Sequence, residues 1–478
     1  MAEGVIAGTG EKPREAPTAT PALDASAVRS ALTLALGAFV ALMDTTIVGV
    51  ALHAFSVHFH ASLTDVQWVS AAYLLAMAAL TPATGWAAQR FGAAACWTAS
   101  LCVFLVGSLL CALSWSLGVL VAFRVVQGLG ASMLFPLMRI LVVQVAGPQR
   151  MGRMMSLIAV PILVAPVIGP MVGGTVVQDL SWRWAFFLNV PIIVVVIVLS
   201  GVYLPNIKTP GGGGLDVIGL LTMSGGLTTA IYGLSQLGAG QALTSGQVLA
   251  PLLAAVLLLT AHGVRSRRIS APIVDFALFR DRSFTASTAI TALNNFGLYG
   301  AVVLVPMFFQ QAGGKGPLAA GAIMVAQGAG AAVAVVVVGR LIDAKSNPRA
   351  LVLVGLLLVA AAMATFATTG SASVSAPLLL ALFVQGIGLA LAASPVMVTL
   401  YHSISPTSMA AATTANAVSQ QLGGAIGTTV IALLLQRSLS WHAQVTPAFQ
   451  FVFWCSLGFV ALTALPALLL PSGQSKRA

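Results

Sequence analysis

Of the eleven acidic residues in the chain, ten sit in tails, in connecting segments or at the ends of apolar runs, and Asp44 alone lies well inside one. A charge buried in hydrocarbon costs about 2.5 kcal/mol or more, so an ionisable residue at that depth is a functional candidate by default. Counted from Ser30, where the first apolar run begins, Asp44 stands about 21 Å along a helix. Arg124, counted from Leu117 at the start of the fourth run, stands roughly 10 Å below the opposite face. In a hydrocarbon core of about 30 Å both reach similar depth in its outer half. Low dielectric favours the neutral carboxyl and a nearby cation favours the carboxylate. Such a pair can take up and release a proton as water access changes; the bland alternative is a permanent structural ion pair.

Other polar side chains fall at membrane depth. Asn294, Asn295 and Tyr299 lie on the ninth run, with Asn295 and Tyr299 one helical turn apart; Gln127, Gln385, Asn416, Gln420 and Gln421 dot other runs. Each can bond between helices or face a substrate cavity, and Gln127, Asn294, Asn295, Tyr299 and Gln385 are the candidates for the cavity. Arg139 lies near the inner end of the fourth run, where its stem can snorkel to the interface. His53, His58 and His60 read as solvated residues of the first outer loop, because no carboxylate or cysteine accompanies them as ligands. The four cysteines, Cys96, Cys102, Cys111 and Cys455, fall inside apolar runs and read as small hydrophobes. No set of nucleophile, base and orienting group converges, so no catalytic residue, metal site or cofactor is expected.

The elements that must position these residues follow from composition. Only 7% of the 478 residues are charged, 58% are hydrophobic, and mean hydropathy is +0.99. Soluble globular chains carry about 25% charge, so lipid must solvate most of this surface. Forty-seven glycines suit close helix approach in a bilayer. Apolar runs of spanning length occur near 30–52, 66–88, 94–115, 117–145, 153–177, 184–204, 215–237, 247–264, 284–310, 318–342, 350–369, 375–401, 410–436 and 449–470, which predicts fourteen helices. None alternates as barrel strands do. With the N-terminus inside, seventeen Lys and Arg fall on one side and only Arg183, Lys315 and Arg437 on the other, a positive-inside bias that predicts cytoplasmic termini. The net charge of +11 is then topological, and nucleic acid is not an expected partner. The first 29 residues lack an apolar core and read as a flexible cytoplasmic tail.

Several segments together resemble a known family. Leu42-Met43-Asp44-Thr45-Thr46-Ile47-Val48-Gly49-Val50-Ala51-Leu52 is similar to the L-D-x-T-I-V-N-V-A-L-P motif of the fourteen-span drug:proton antiporters of the major facilitator superfamily, the EmrB/QacA type. Gly85-Trp86-Ala87-Ala88-Gln89-Arg90-Phe91-Gly92 resembles the superfamily's G-x-L-A-D-R-x-G latch, with Gln89 in place of the acid. Its counterpart in the second half, Gly339-Arg340-Leu341-Ile342-Asp343, keeps the acid. Arg124-Val125-Val126-Gln127-Gly128-Leu129-Gly130 matches R-x-x-Q-G-x-G, associated with proton transfer. Pro166, Gly169, Pro170, Gly173 and Gly174 belong to a stretch that matches the antiporter motif G-P-x-x-G-G. Trp182-Arg183-Trp184-Ala185-Phe186-Phe187-Leu188-Asn189-Val190-Pro191 and Gln421-Leu422-Gly423-Gly424-Ala425-Ile426-Gly427 follow family patterns too.

The resemblance implies an all-α polytopic fold: a six-helix bundle over 30–204, two inserted helices over 205–264, a cytoplasmic linker over 265–283, a second six-helix bundle over 284–470 and a short tail over 471–478. It implies a multi-pass protein of the cell membrane that exports amphipathic, cationic or neutral drugs in exchange for protons, with Asp44 as proton carrier. Accessory export proteins are left open. A same-fold exporter of one endogenous metabolite, peptide or lipid is the alternative, and an uptake symporter is disfavoured by the antiporter motif.

Overall fold

The computed structural model describes residues 24–205, 207, 214, 216–269, 272–274, 276–343, 347–402, 404 and 409–470. Among them every regular element is a helix: α1 (Ala25–Phe59), α2 (Leu63–Leu80), α3 (Thr84–Phe91), α4 (Ala93–Ala112), α5 (Leu117–Ala131), α6 (Leu134–Asp179), α7 (Trp184–Phe187), α8 (Asn189–Tyr203), α9 (Val217–Gly238), α10 (Gly246–Ser266), α11 (Arg282–Met307), α12 (Pro317–Ile323), α13 (Val325–Asp343), α14 (Pro348–Thr368), α15 (Ala376–His402), α16 (Met409–Trp441) and α17 (Val445–Ala467). Helices are what lipid demands, because each satisfies its own backbone polar groups. Large apolar side chains such as Val202, Leu257 and Leu357 remain largely exposed, as a lipid-facing surface requires.

Twelve of these stretches are long and apolar enough to cross a membrane among the described residues. The fifth predicted run, 153–177, falls within α6, and the tenth, 318–342, in α12 and α13, whose apolar stretch Ala319–Ala334 is short. The expected count of fourteen therefore stands as an expectation. The break expected between the runs 117–145 and 153–177, where Gly147-Pro148 stands, does not interrupt α6. Proline removes one backbone donor and can kink a helix without ending it.

Two ends are set locally. α1 begins at Ala25, five residues before the predicted run, because Asp24 caps it by accepting from Ala27 N at 2.9 Å. That hydrogen bond holds the Asp24 carboxyl below its ordinary range. α1 also runs on to Phe59, so His53 and His58 are helical and not loop residues, and His60 closes the helix at φ 50°. The His58 ring packs against Phe59 and Trp182; the side chain of His53 lies outside the description.

α1, α2, α4, α5, α6 and α8 pack with one another, as do α11, α13, α14, α15, α16 and α17. α9 and α10 pair with each other, and α9 rests on α2 and α16. At the end predicted to be extracellular each half has its own apolar cluster. One is built around Phe55, Trp182 and Phe186, the other around Phe308, Phe366, Phe449 and Phe453. At the opposite end the halves share one: Leu400, Ala412, Ala415 and Val418 join Leu137, Met138 and Leu141.

Candidate functional site

Asp44 and Arg124 meet. Arg124 Nη1 lies 2.7 Å from Asp44 Oδ2, and both side chains are sealed from solvent. Three capped or closely packed helices bring them together. Ser116 starts α5 by accepting from Val119 N at 3.3 Å, which sets the depth of Arg124 eight residues on. Glycines bring α5 against its neighbours: a Cβ on Gly128 would sit 2.5 Å from Tyr73 O, and one on Gly130 would collide with Phe104 N. On the other side of α1, a Cβ on Gly169 would collide with Thr46 Oγ1, and one on Gly173 would lie 3.0 Å from Ile47 Cγ2. These two antiporter-motif glycines thus let α6 press against the helix that carries Asp44. Pro166, Pro170 and Gly174 share α6, but their side chains lie outside the description.

The carboxylate accepts three hydrogen bonds. Arg124 Nη1 donates to Oδ2, while Gln127 Nε2 at 2.9 Å and Asn189 Nδ2 at 2.7 Å both donate to Oδ1. Arg124 Nη1 also donates to Gln127 Oε1 at 2.7 Å, and Arg124 Nε donates to Val69 O at 3.1 Å. The Tyr73 ring lies 4.1 Å from the guanidinium carbon. Ser108 ties the amides together: its Oγ accepts from Gln127 Nε2 at 3.3 Å and Asn189 Nδ2 at 3.1 Å, and donates to Phe186 O at 3.0 Å. A buried ion pair persists when its remaining lone pairs and protons are satisfied in this way. Losing the guanidinium would change the balance of the whole cluster.

The other predicted residues scatter. Gln127 joins the charged cluster rather than standing apart in a cavity, and is fully buried. Asn295 donates to Thr291 O of its own helix at 2.8 Å, Asn294 is half-buried, and Tyr299 is 46% exposed with its ring against Gly424. Gln385 is buried and lines a small apolar cavity inside the second half, with Phe296, Met363, Ser456 and Phe459. In the latch segment Gly85 is buried, Gln89 half-buried and Arg90 exposed. Gly92 links α3 to α4 alone, at φ 92°, which only glycine adopts without strain. Gly339, Arg340 and Asp343 fall in the last turns of α13, with side chains outside the description.

Between the halves run two polar contacts that sequence reasoning did not assign to a gate. Arg139 Nη2 donates to Gln420 Oε1 at 2.8 Å, and Gln421 Nε2 donates to Thr81 Oγ1 at 3.0 Å. Consecutive residues of α16 thus reach α6 and the short turn between α2 and α3, at the end where the apolar cluster is shared. Asn189 and Ser108 were also missed as members of the charged cluster. Asn189 is five residues into the sixth predicted run, about 7.5 Å from its outer face, so depth alone puts it near Arg124.

Lipid-facing helices enclosing a sealed ion pair define a multi-pass membrane protein with an ionisable centre inside the first half. The sequence pattern of the family described as Major Facilitator Superfamily matches residues 34–428 and 287–477, and the chain belongs to that family of transporters. It is 33% identical over 426 residues to the "Multidrug resistance protein B homolog" of Mycobacterium tuberculosis (strain CDC 1551 / Oshkosh), covering 88% of this chain and 78% of that one. It is 32% identical over 285 residues to the "Multidrug export protein EmrB" of Haemophilus influenzae, covering 59% of this chain and 55% of that one. In fold it is similar to the human organic anion transporter MFSD10 (TETRAN), with a TM-score of 0.65, 16% identity and coverage of 92% and 99%. It is also similar to the proton:xylose symporter XylE, with a TM-score of 0.64, 15% identity and coverage of 92% and 94%.

Proposed function

We propose that the protein is a proton-coupled secondary exporter of amphipathic drugs, cationic or neutral, working by alternating access with Asp44 as proton carrier. The observation that carries this reading is the Asp44 carboxylate, solvent-free and held by Arg124, Gln127 and Asn189. Drug efflux as such is supported by relatives named for multidrug resistance and export. In the inward-open state Asp44 gives up its proton as the cavity takes substrate from the cytoplasm or the inner leaflet. In the outward-open state an external proton neutralises Asp44 and favours release. The reading includes fourteen spans in a cell membrane with both termini cytoplasmic, in two six-helix bundles over 30–204 and 284–470 with an inserted pair between them. One carboxylate at membrane depth suits exchange of one proton for one monovalent cation.

The test is ethidium transport by the purified protein in liposomes with an imposed pH gradient. Accumulation against the ethidium gradient is expected from the native chain, and its loss in Asp44→Asn. Full gradient-driven accumulation in Asp44→Asn would remove Asp44 from this role.

A further inference from the structure

We infer that Asn189 is the positioning residue that sets how tightly Asp44 holds its proton, an inference that rests on Asp44 being the proton carrier. Three donors serve the carboxylate, and they are not equivalent. Arg124 and Gln127 stand one turn apart on α5, and Arg124 Nη1 donates to both Asp44 and Gln127. These two donors therefore move as one body. Asn189 comes from another helix, as the first residue of α8, just past the short α7. Its bond to Oδ1, at 2.7 Å, is as short as the ion pair itself. A shift of α8 relative to α1 can make or break it while the arginine stays in place.

The orientation of the amide carries the point further. Asn189 is fully buried, and its Oδ1 has no hydrogen-bond partner among the described residues. An asparagine placed for packing would turn to satisfy both ends. Here the carboxylate dictates the rotamer. Turning the amide over would set Oδ1 against Asp44 Oδ1 and replace an attraction with a repulsion. Nδ2 spends its two protons on Asp44 Oδ1 and Ser108 Oγ, and the carbonyl oxygen is left idle. Hydrogen bonds to the charged form of an acid favour that form. With Asn189 in contact, Asp44 releases its proton more readily; with the contact withdrawn, it retains the proton to higher pH. Movement of α8 thereby becomes a means of changing proton affinity during the cycle.

The titration of Asp44 can be followed without a substrate, through the infrared C=O stretch of its protonated carboxyl in the purified full chain, identified by its absence in Asp44→Asn. In Asn189→Ala the midpoint of that band is expected to move to higher pH by about one unit, the size of one hydrogen bond to a charged group. Asn189→Gln, which restores an amide donor, should return part of the shift. Ser108→Ala, which removes the tie between the amides but no donor to Asp44, should move the midpoint less than Asn189→Ala and also keeps the question open to measurement if Asn189→Ala does not fold. A native midpoint in Asn189→Ala, or a displacement in Ser108→Ala at least as large as that of Asn189→Ala (or, where Asn189→Ala does not fold, as large as about one unit), would overturn the assignment to Asn189. A spectrum unchanged by Asp44→Asn across the whole titration would instead overturn the proton-carrier reading beneath it.

Discussion

The two halves of the molecule contain the same four-residue motif in corresponding helices and use it differently. Gln127-Gly128-Leu129-Gly130 lies in α5, and Gln385-Gly386-Ile387-Gly388 in α15. The glycines do the same work in both. Gly128 lets α5 approach Tyr73 of α2, and Gly386 lets α15 approach Gln327 of α13; Gly130 meets Phe104 of α4, and Gly388 meets Gly355 and Val359 of α14. Three residues before the glutamine, however, the first half has Arg124 and the second has Leu382. α11, which begins the second half as α1 begins the first, has no acidic residue. Gln127 accordingly makes hydrogen bonds to Arg124, Asp44 and Ser108, whereas Gln385 Oε1 is buried without a partner among the described residues. Helix packing and charge chemistry are thus separable layers of one repeat: small residues set the first in both halves, and the second is present where an acid and an arginine face each other.

The sharpest way to break this comparison is to give the first half the residue of the second. Arg124→Leu leaves a buried carboxylate uncompensated, at a cost of about 3–5 kcal/mol. Thermal unfolding in lipid nanodiscs should show a large loss, and gradient-driven ethidium export should vanish. Adding Asp44→Asn to the same chain should recover most of the stability and none of the export. Next in size is a paired substitution at the shared scaffold. Gly128→Val and Gly386→Val each push a side chain into a neighbouring backbone and should cost about 1–3 kcal/mol apiece. Unfolding curves that separate the two by more than that range would show that the halves do not pack alike.

Smaller and unequal effects are expected at the glutamines. Gln127→Leu orphans groups on Asp44 and Arg124 and should cost about 1–3 kcal/mol, while Gln385→Leu removes an unsatisfied acceptor and should be near neutral or stabilising. Equal losses in a denaturation series would erase the proposed difference. The smallest effect belongs to the contacts between halves. Gln420→Ala and Gln421→Ala each remove one hydrogen bond, about 1 kcal/mol, which is enough to shift the balance between a closed and an open end. Spin labels at Phe91 and Val354, one on each half, should report longer distances in the double variant; an unchanged distribution would deny these glutamines a gating role.

Much of the layout was legible because lipid imposes simple rules on a chain. Apolar runs of spanning length coincide with α4, α9, α10, α14 and α17 to within a few residues. Depth arithmetic put Asp44 and Arg124 at one level, since helices entering from opposite faces bring residues to calculable levels; which faces of α1 and α5 turn toward each other is set by packing. The same arithmetic was available for Asn189 and Ser108, but uncharged side chains do not advertise themselves in a glycine- and serine-rich membrane chain. The continuity of α6 past Pro148 was hidden, because a proline reads as a stop although a helix can absorb it. The length of α1 was hidden for a related reason: polar His53 ended the apolar signal at Leu52, although the helix runs on to Phe59 and the His58 ring packs on Trp182. The contacts of Gln420 and Gln421 depend on how the halves dock, which no local pattern encodes.

The pairing of Asp44 with Arg124 also has an electrical consequence. In contact they sum to zero, so a proton taken up by Asp44 leaves the arginine's positive charge uncompensated inside the membrane. Moving one charge through the membrane field involves about 2.3 kcal/mol per 100 mV. One proton exchanged for one monovalent cation carries no net charge, and such a cycle is indifferent to voltage. A neutral cargo exchanged for the same proton moves one charge inward each turn, and its export should quicken as the cell interior becomes more negative.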